Sequence, residues 1–108
     1  MGVGGEPLKG HLDLLVLSVL RDSEAHGYRV IELLRAGSNG VFDLPEGTVY
    51  PVLHRLERAG YLRSRWAKGT GPKRRVYALT AAGQRELEGK RETWRTFSRA
   101  VGAVIGAS

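Results

Sequence analysis

The sequence predicts a mainly α-helical domain that carries one small β-hairpin and ends in a single long helix. Three observations lead there. Apolar side chains recur at helical spacing in four stretches of the 108 residues. Residues 61–66 and 73–79 alternate instead, and residues 67–72 between them are rich in turn formers. Eight basic side chains against one acid, Glu57, crowd into residues 48–77, whereas residues 1–47 hold four basic and seven acidic groups. A chain of this length is one domain with one core. It divides into a flexible lead-in over 1–9, a body over 10–79 and a helix over 80–106.

The first helix spans residues 8–20. Leu12, Leu15, Val16, Val19 and Leu20 share a face, while Leu14 and Leu17 lie on the other side. A helix apolar nearly all round is buried nearly all round, so this one needs a second cover besides the domain's own core. Residues 21–24 break the pattern, and Ser23 is the candidate N-cap of a second helix over 25–36. There Tyr28, Ile31 and Leu34 point inward, with Arg29, Glu32 and Arg35 outward. Gly37 ends that helix and residues 38–40 form a turn. Residues 41–44 are a short extended piece, long enough for a small edge strand, stopped by Pro45.

The central helix begins near Gly47 or Thr48, because Pro51 lacks the N–H that a helix needs beyond its first turn. Gly60 supplies the left-handed residue that closes it. Val49, Val52, Leu53 and Leu56 face the core; Thr48, Tyr50, Pro51, His54, Arg55 and Arg58 form the outer face, without an acid among them. The hairpin follows. Leu62 and Trp66 point one way and Arg63 and Arg65 the other, Tyr77 and Leu79 share a face, and the tip is mobile and basic. Helix, turn, helix and basic hairpin make the layout of a winged helix-turn-helix. Arg63 and Arg65 are read as solvated strand residues.

Thr80 caps the last helix, whose larger apolar residues are Leu87, Trp94, Phe97, Val101, Val104 and Ile105, close to the heptad seam of pairing helices. At about 1.5 Å per residue such a helix extends roughly 39 Å, too far for a body of this size to cover. Its seam and the doubly apolar first helix argue together for a homodimer held by the first and last helices.

Several classes are excluded or disfavoured. The chain has no cysteine, so disulfides and thiolate metal sites are out and a reducing cytoplasm is the natural home. No run of about 18 apolar residues could span a membrane, and the first seven residues lack the regions of a signal peptide. There is no catalytic triad spacing, and residues 69–73 resemble a phosphate loop without its strand–loop–helix context. His11, His26 and His54 are too scattered for a metal site; His26 belongs to the start of the second helix with no chemistry. No cofactor is implied. The concentrated positive charge suits duplex DNA, because Lys and Arg contacts to phosphates supply most non-specific affinity. The other reading, a winged-helix module for protein contacts, has no need of so basic a segment.

These residues resemble the PadR family of bacterial transcriptional regulators. The matching pieces are Leu-Asp-Leu-Leu-Val-Leu at 12–17, His-Gly-Tyr at 26–28, Gly-Thr-Val-Tyr-Pro-Val-Leu-His-Arg-Leu-Glu at 47–57 and Arg-Arg-Val-Tyr-Ala-Leu-Thr-Ala-Ala-Gly at 74–83. They cover roughly residues 10–100 in the family's order, and one C-terminal helix marks the short form. Val76 departs from the pattern, since many members carry a second aromatic before Tyr77. The resemblance implies a homodimeric repressor that binds an inverted-repeat operator in double-stranded DNA and is released by a small molecule. On that reading Thr48, Tyr50, Pro51 and His54 face the DNA from the central helix, with Tyr50 at a phosphate. Arg55 and Arg58 meet backbone or base edges, and Lys73, Arg74 and Arg75 act from the wing. Tyr50 packed on the core edge is the alternative for that residue. In some short-form relatives a tryptophan placed like Trp94 lines a pore between the protomers. The implied effector wall is Trp94, Phe97 and Leu15, with Trp94 as a plain interface anchor the other reading.

Overall fold

A computed structural model describes residues 10–106. In order it contains α1 (Leu12–Val19), β1 (Ala25–His26), α2 (Gly27–Gly37), α3 (Glu46–Arg58), β2 (Leu62–Trp66), β3 (Arg75–Leu79) and α4 (Ala81–Ile105). The strands form one antiparallel sheet in the order β1-β3-β2. The chain is a winged helix with an added C-terminal helix, in agreement with the fold expected from the sequence.

The first helix is the centre of the body and touches all three others. Its expected start at Leu8 lies outside the described residues. Contact on several sides also changes its inward set. Leu17, expected on the outer side, is fully buried with Leu12, Val16 and Leu20, whereas Leu14, Leu15 and Val19 are only partly covered.

The largest departure from the sequence reading lies between α1 and α2. Ala25 and His26 are not helical; they pair with β3, Ala25 opposite Tyr77 and His26 opposite Val76. A strand conformation there pushes the helix start to Gly27, so the N-cap is His26 and not Ser23: His26 Nδ1 accepts from the Arg29 backbone N–H at 3.3 Å. The helix face rotates accordingly. Gly27, Val30 and Leu34 are buried, and Tyr28, expected inward, is 57% exposed. The edge of β3 is thus filled by Ala25–His26. Residues 41–44, expected as an edge strand, form a loop that buries Leu44 instead.

The central helix starts at Glu46 and places Val49, Val52, Leu53 and Leu56 in the core as expected. Pro51 sits beyond the first turn, so the Gly47 carbonyl has no N–H four residues on to accept from. At the other end Gly60 adopts φ 86°. Tyr61 N–H donates to Leu56 O and Gly60 N–H to Glu57 O, both at 3.0 Å, the paired bonds of a Schellman close.

That close positions everything after it. Thr80 donates its hydroxyl to Gly60 O at 2.6 Å and accepts from Gly83 N–H at 3.0 Å, so one side chain caps α4 and ties it to the end of α3. Gly83 packs so tightly that an added Cβ would lie 2.0 Å from Tyr61 O. Along α4 only Leu87 is a fully buried large side chain. Phe97, Val101, Val104 and Ile105 are all exposed, and the molecule measures 54 × 32 × 21 Å along its principal axes. The helix projects past the body, as its length required.

In the hairpin, Leu62 faces Leu79 and Trp66 faces Arg75. Leu62 and Tyr77 are buried, but Trp66 is 55% exposed, with the guanidinium carbon of Arg75 over its ring, 4.8 Å from the centroid. The third strand begins at Arg75, so Lys73 and Arg74, both expected in a strand over 73–79, belong to the loop instead.

Candidate nucleic-acid interface

On α3, Pro51, His54, Arg55 and Arg58 are exposed, and Thr48 and Tyr50 are half-buried. The basic residues of this face divide by what holds them. Arg55 is taken: its Nη1 and Nη2 donate to Asp13 Oδ2 and Oδ1 on α1, at 2.9 and 2.5 Å. This bond holds the Asp13 carboxyl below its ordinary value against an opposing effect of burial. Arg58, one turn on, has no ion-pair partner among the described residues.

The wing divides in the same way. Arg75 is built into its base, where Nε donates to Ser64 Oγ at 3.0 Å and Ser64 Oγ donates to Glu57 Oε2 at 2.5 Å. Arg75 Nη2 lies 3.8 Å from that same carboxylate, and the guanidinium stacks on Trp66. Arg65 is paired with Glu24 and the Arg63 Nη1 donates to Leu79 O at 3.3 Å, in keeping with surface roles. Lys73 and Arg74, by contrast, have no ion-pair partner among the described residues. Arg74 Nη1 stops 3.1 Å from His26 Nε2.

A cleft of about 420 Å³ opens where the wing, the α2 start and α3 meet; Tyr50, His54, Lys73 and Arg74 line it together with His26 and Tyr28. Tyr50 stands on edge to Tyr28, with ring centroids 6.5 Å apart. It lies across Gly27 so closely that a Cβ there would be 2.5 Å from the ring, and the hydroxyl ends over the first turn of α2. Partial burial raises the pKa of this hydroxyl. Glu46 beside the Tyr28 hydroxyl does the same for Tyr28. Five of the nine residues expected at DNA, Tyr50, His54, Lys73, Arg74 and Arg75, therefore line one concave site; Arg75 is at the same time tied to Ser64 and Glu57, and Arg55 to Asp13. The sequence reading missed His26 and Tyr28; their signal was the His-Gly-Tyr piece, whose glycine is what admits Tyr50.

A second groove, of about 550 Å³, runs between α1 and α4, with His11, Leu14, Lys90, Trp94 and Phe97 on its walls. Trp94 meets the His11 ring edge-on at 5.0 Å and Phe97 at 6.1 Å. Leu14 lines this groove and Leu15, expected on its wall, does not; both pack partly buried against the core cluster.

No helix among the described residues is long and apolar enough to cross a membrane. Residues 16–89 match the Transcriptional regulator PadR-like family. The chain is 38% identical over 89 residues to the transcriptional regulator Rv3488 of Mycobacterium tuberculosis, covering 82% of this chain and 79% of that one. A PadR family transcriptional regulator from Eggerthella lenta superposes with a TM-score of 0.80 at 32% identity, covering 95% of this chain and 88% of the other. A transcriptional regulator from Clostridium thermocellum gives 0.84 at 25% identity, covering 92% and 97%. A winged helix with a basic face, matched over most of its length by regulators of one kind, is a DNA-binding transcription regulator and not an enzyme: the chain belongs to the PadR-like family.

Proposed function

We propose that the protein is a homodimeric repressor that reads an inverted-repeat operator with α3 and the wing of each protomer. The observation that carries this reading is the convergence of Tyr50, His54, Lys73 and Arg74 on one cleft, in the segment that holds eight basic groups against one acid. Arg58 extends the same positive face. A two-fold dimer sets its recognition helices into successive major grooves about 34–36 Å apart, and the exposed seam Phe97, Val101 and Val104 on α4 supplies a surface for pairing. Thr48 and Pro51 approach the DNA from the start of α3. In this proposal Arg55 and Arg75 act by holding α3 and the wing in place.

A small aromatic effector fits the groove between α1 and α4, against Trp94 and Phe97, with Leu14 in the place expected of Leu15. Bound there, it would bear on α1, which Asp13 joins to Arg55 of the reading helix. Cytoplasmic action follows from the DNA target. The experiment that tests the proposal is selection of bound fragments from the source genome, with mass measured in solution by light scattering. Recovered sites with two-fold symmetry and a dimeric mass support it. A monomer that binds duplexes without preference would leave the protein-contact reading of the winged helix as the better one.

A further inference from the structure

His26 sits between two donors. Its Nδ1 faces the Arg29 backbone N–H at 3.3 Å, and its Nε2 faces Arg74 Nη1 at 3.1 Å. An imidazole has one ring lone pair when neutral and none when protonated. It can therefore accept from one of these donors and never from both. In the tautomer that gives Nδ1 to the helix cap, Nε2 carries a hydrogen and points it at a guanidinium that also has only hydrogens to offer. Such a donor–donor pair is resolved by an acceptor that both can reach, and a guanidinium asks for an anionic one. The surroundings fit an anion. The positive end of the eleven-residue α2 starts beside His26, the Tyr50 hydroxyl ends over that first turn, and Lys73 lines the same cleft. Tyr28 lines the same cleft, with its ring on edge to that of Tyr50.

We propose that His26 Nε2–H and Arg74, with the Tyr50 hydroxyl beside them, grip one backbone phosphate of the bound duplex. His26 then has two tasks: Nδ1 caps α2 while Nε2 holds DNA, so the phosphate is read from the helix end and the wing at once. The inference rests on the DNA reading above, because the cleft opens on the same side as His54 and Lys73.

The test uses the full chain and an operator duplex that the wild-type protein has selected, carrying single methylphosphonate linkages that remove one phosphate charge at a time. His26→Ser keeps a good N-cap but is too short to reach the phosphate; Arg74→Gln leaves the cap untouched. Each variant should bind the unmodified operator about tenfold more weakly, with thermal midpoints near that of the wild type. At one linkage per half-site the methylphosphonate should weaken wild-type binding by about as much, yet weaken neither variant further. Variants that lose as much as the wild type at every linkage would overturn the proposal. Saturation of the His26 ring resonances by micromolar inorganic phosphate would also overturn it, in favour of a free-anion effector. A wild-type protein that selects no operator defeats the DNA reading itself, an outcome distinct from normal binding that ignores His26.

Discussion

Arg55 on α3 grips Asp13 on α1 through both of its terminal nitrogens, at 2.9 and 2.5 Å. The two residues are 42 apart in sequence, and the pair ties α1 to α3. A guanidinium held in this way has spent its planar fork on a carboxylate and has little left for a phosphate.

The consequence for DNA binding separates Arg55 from Arg58. Counterion release makes the salt dependence of affinity report the number of phosphates neutralised. Arg58→Ala should lower the slope of log affinity against log salt by about one. Arg55→Ala should leave that slope unchanged while weakening affinity through a looser helix. Equal slope losses for both would show that Arg55 breaks its tie to reach the DNA.

The same pair sets a pH dependence. Asp13 is held below its ordinary pKa by Arg55, so it binds its proton less readily in the folded state than in the unfolded one. Its contribution to stability is therefore fully present above the unfolded carboxylate value, and it is lost as pH falls through the lower folded value. The Arg55 side chain is 53% exposed, so solvent screening limits the contribution to about 0.5–1 kcal/mol. Urea unfolding should find Asp13→Asn less stable than wild type at neutral pH, with the gap closing in acid. A gap that persists at the lowest pH would mean that packing, not charge, is responsible.

Two glycines of α4 should respond in opposite directions to one methyl group. At Gly83 the Cβ would meet Tyr61 O at 2.0 Å, whereas at Gly89 it meets nothing within 4 Å. Gly83→Ala forces α4 away from the close of α3 and should cost roughly 1–3 kcal/mol. Gly89→Ala gains helix propensity, worth up to about 1 kcal/mol. Thermal unfolding checks both, and a stable Gly83→Ala would show that the α4 start can shift without penalty.

The last helix offers a test of pairing and of the groove. Val104 is 86% exposed on the projecting end, so Val104→Asp should leave the body folded and shift the solution mass from dimer to monomer. A dimer that survives both this change and Phe97→Asp would place the interface elsewhere. For the groove, a planar cationic dye should quench tryptophan emission, and Trp94→Ala should remove most of the change. Trp66, on the wing, supplies the remaining emission in that variant; quenching that persists undiminished would exclude the groove.

Much of the fold was legible because its signals are local. Val49, Val52, Leu53 and Leu56 show their shared face by spacing alone, Gly60 marks the helix end, and the seam of α4 is too long and too apolar for one small body to bury. The start of α2 was not legible. Ser23 is the better cap by residue type, yet Ala25 and His26 are drawn into the sheet because the edge of β3 has backbone groups to satisfy, a demand made by Tyr77 and Val76 in a strand far along the chain. Tyr28 and Leu17 changed sides for related reasons, since which face is inward depends on how many neighbours a helix has.

The reading face shows the same division. Composition and periodicity alone determined that a basic helix is followed by a basic hairpin and a long helix with an apolar seam. Among the basic side chains, only the tertiary structure decided which are free and which are ties. Arg55 and Arg58 look alike three residues apart, and so do Arg74 and Arg75 side by side. Charge is a property of the residue, but availability depends on whether a carboxylate such as Asp13 or Glu57 is folded against it. That proximity between distant positions leaves no periodic trace along the chain.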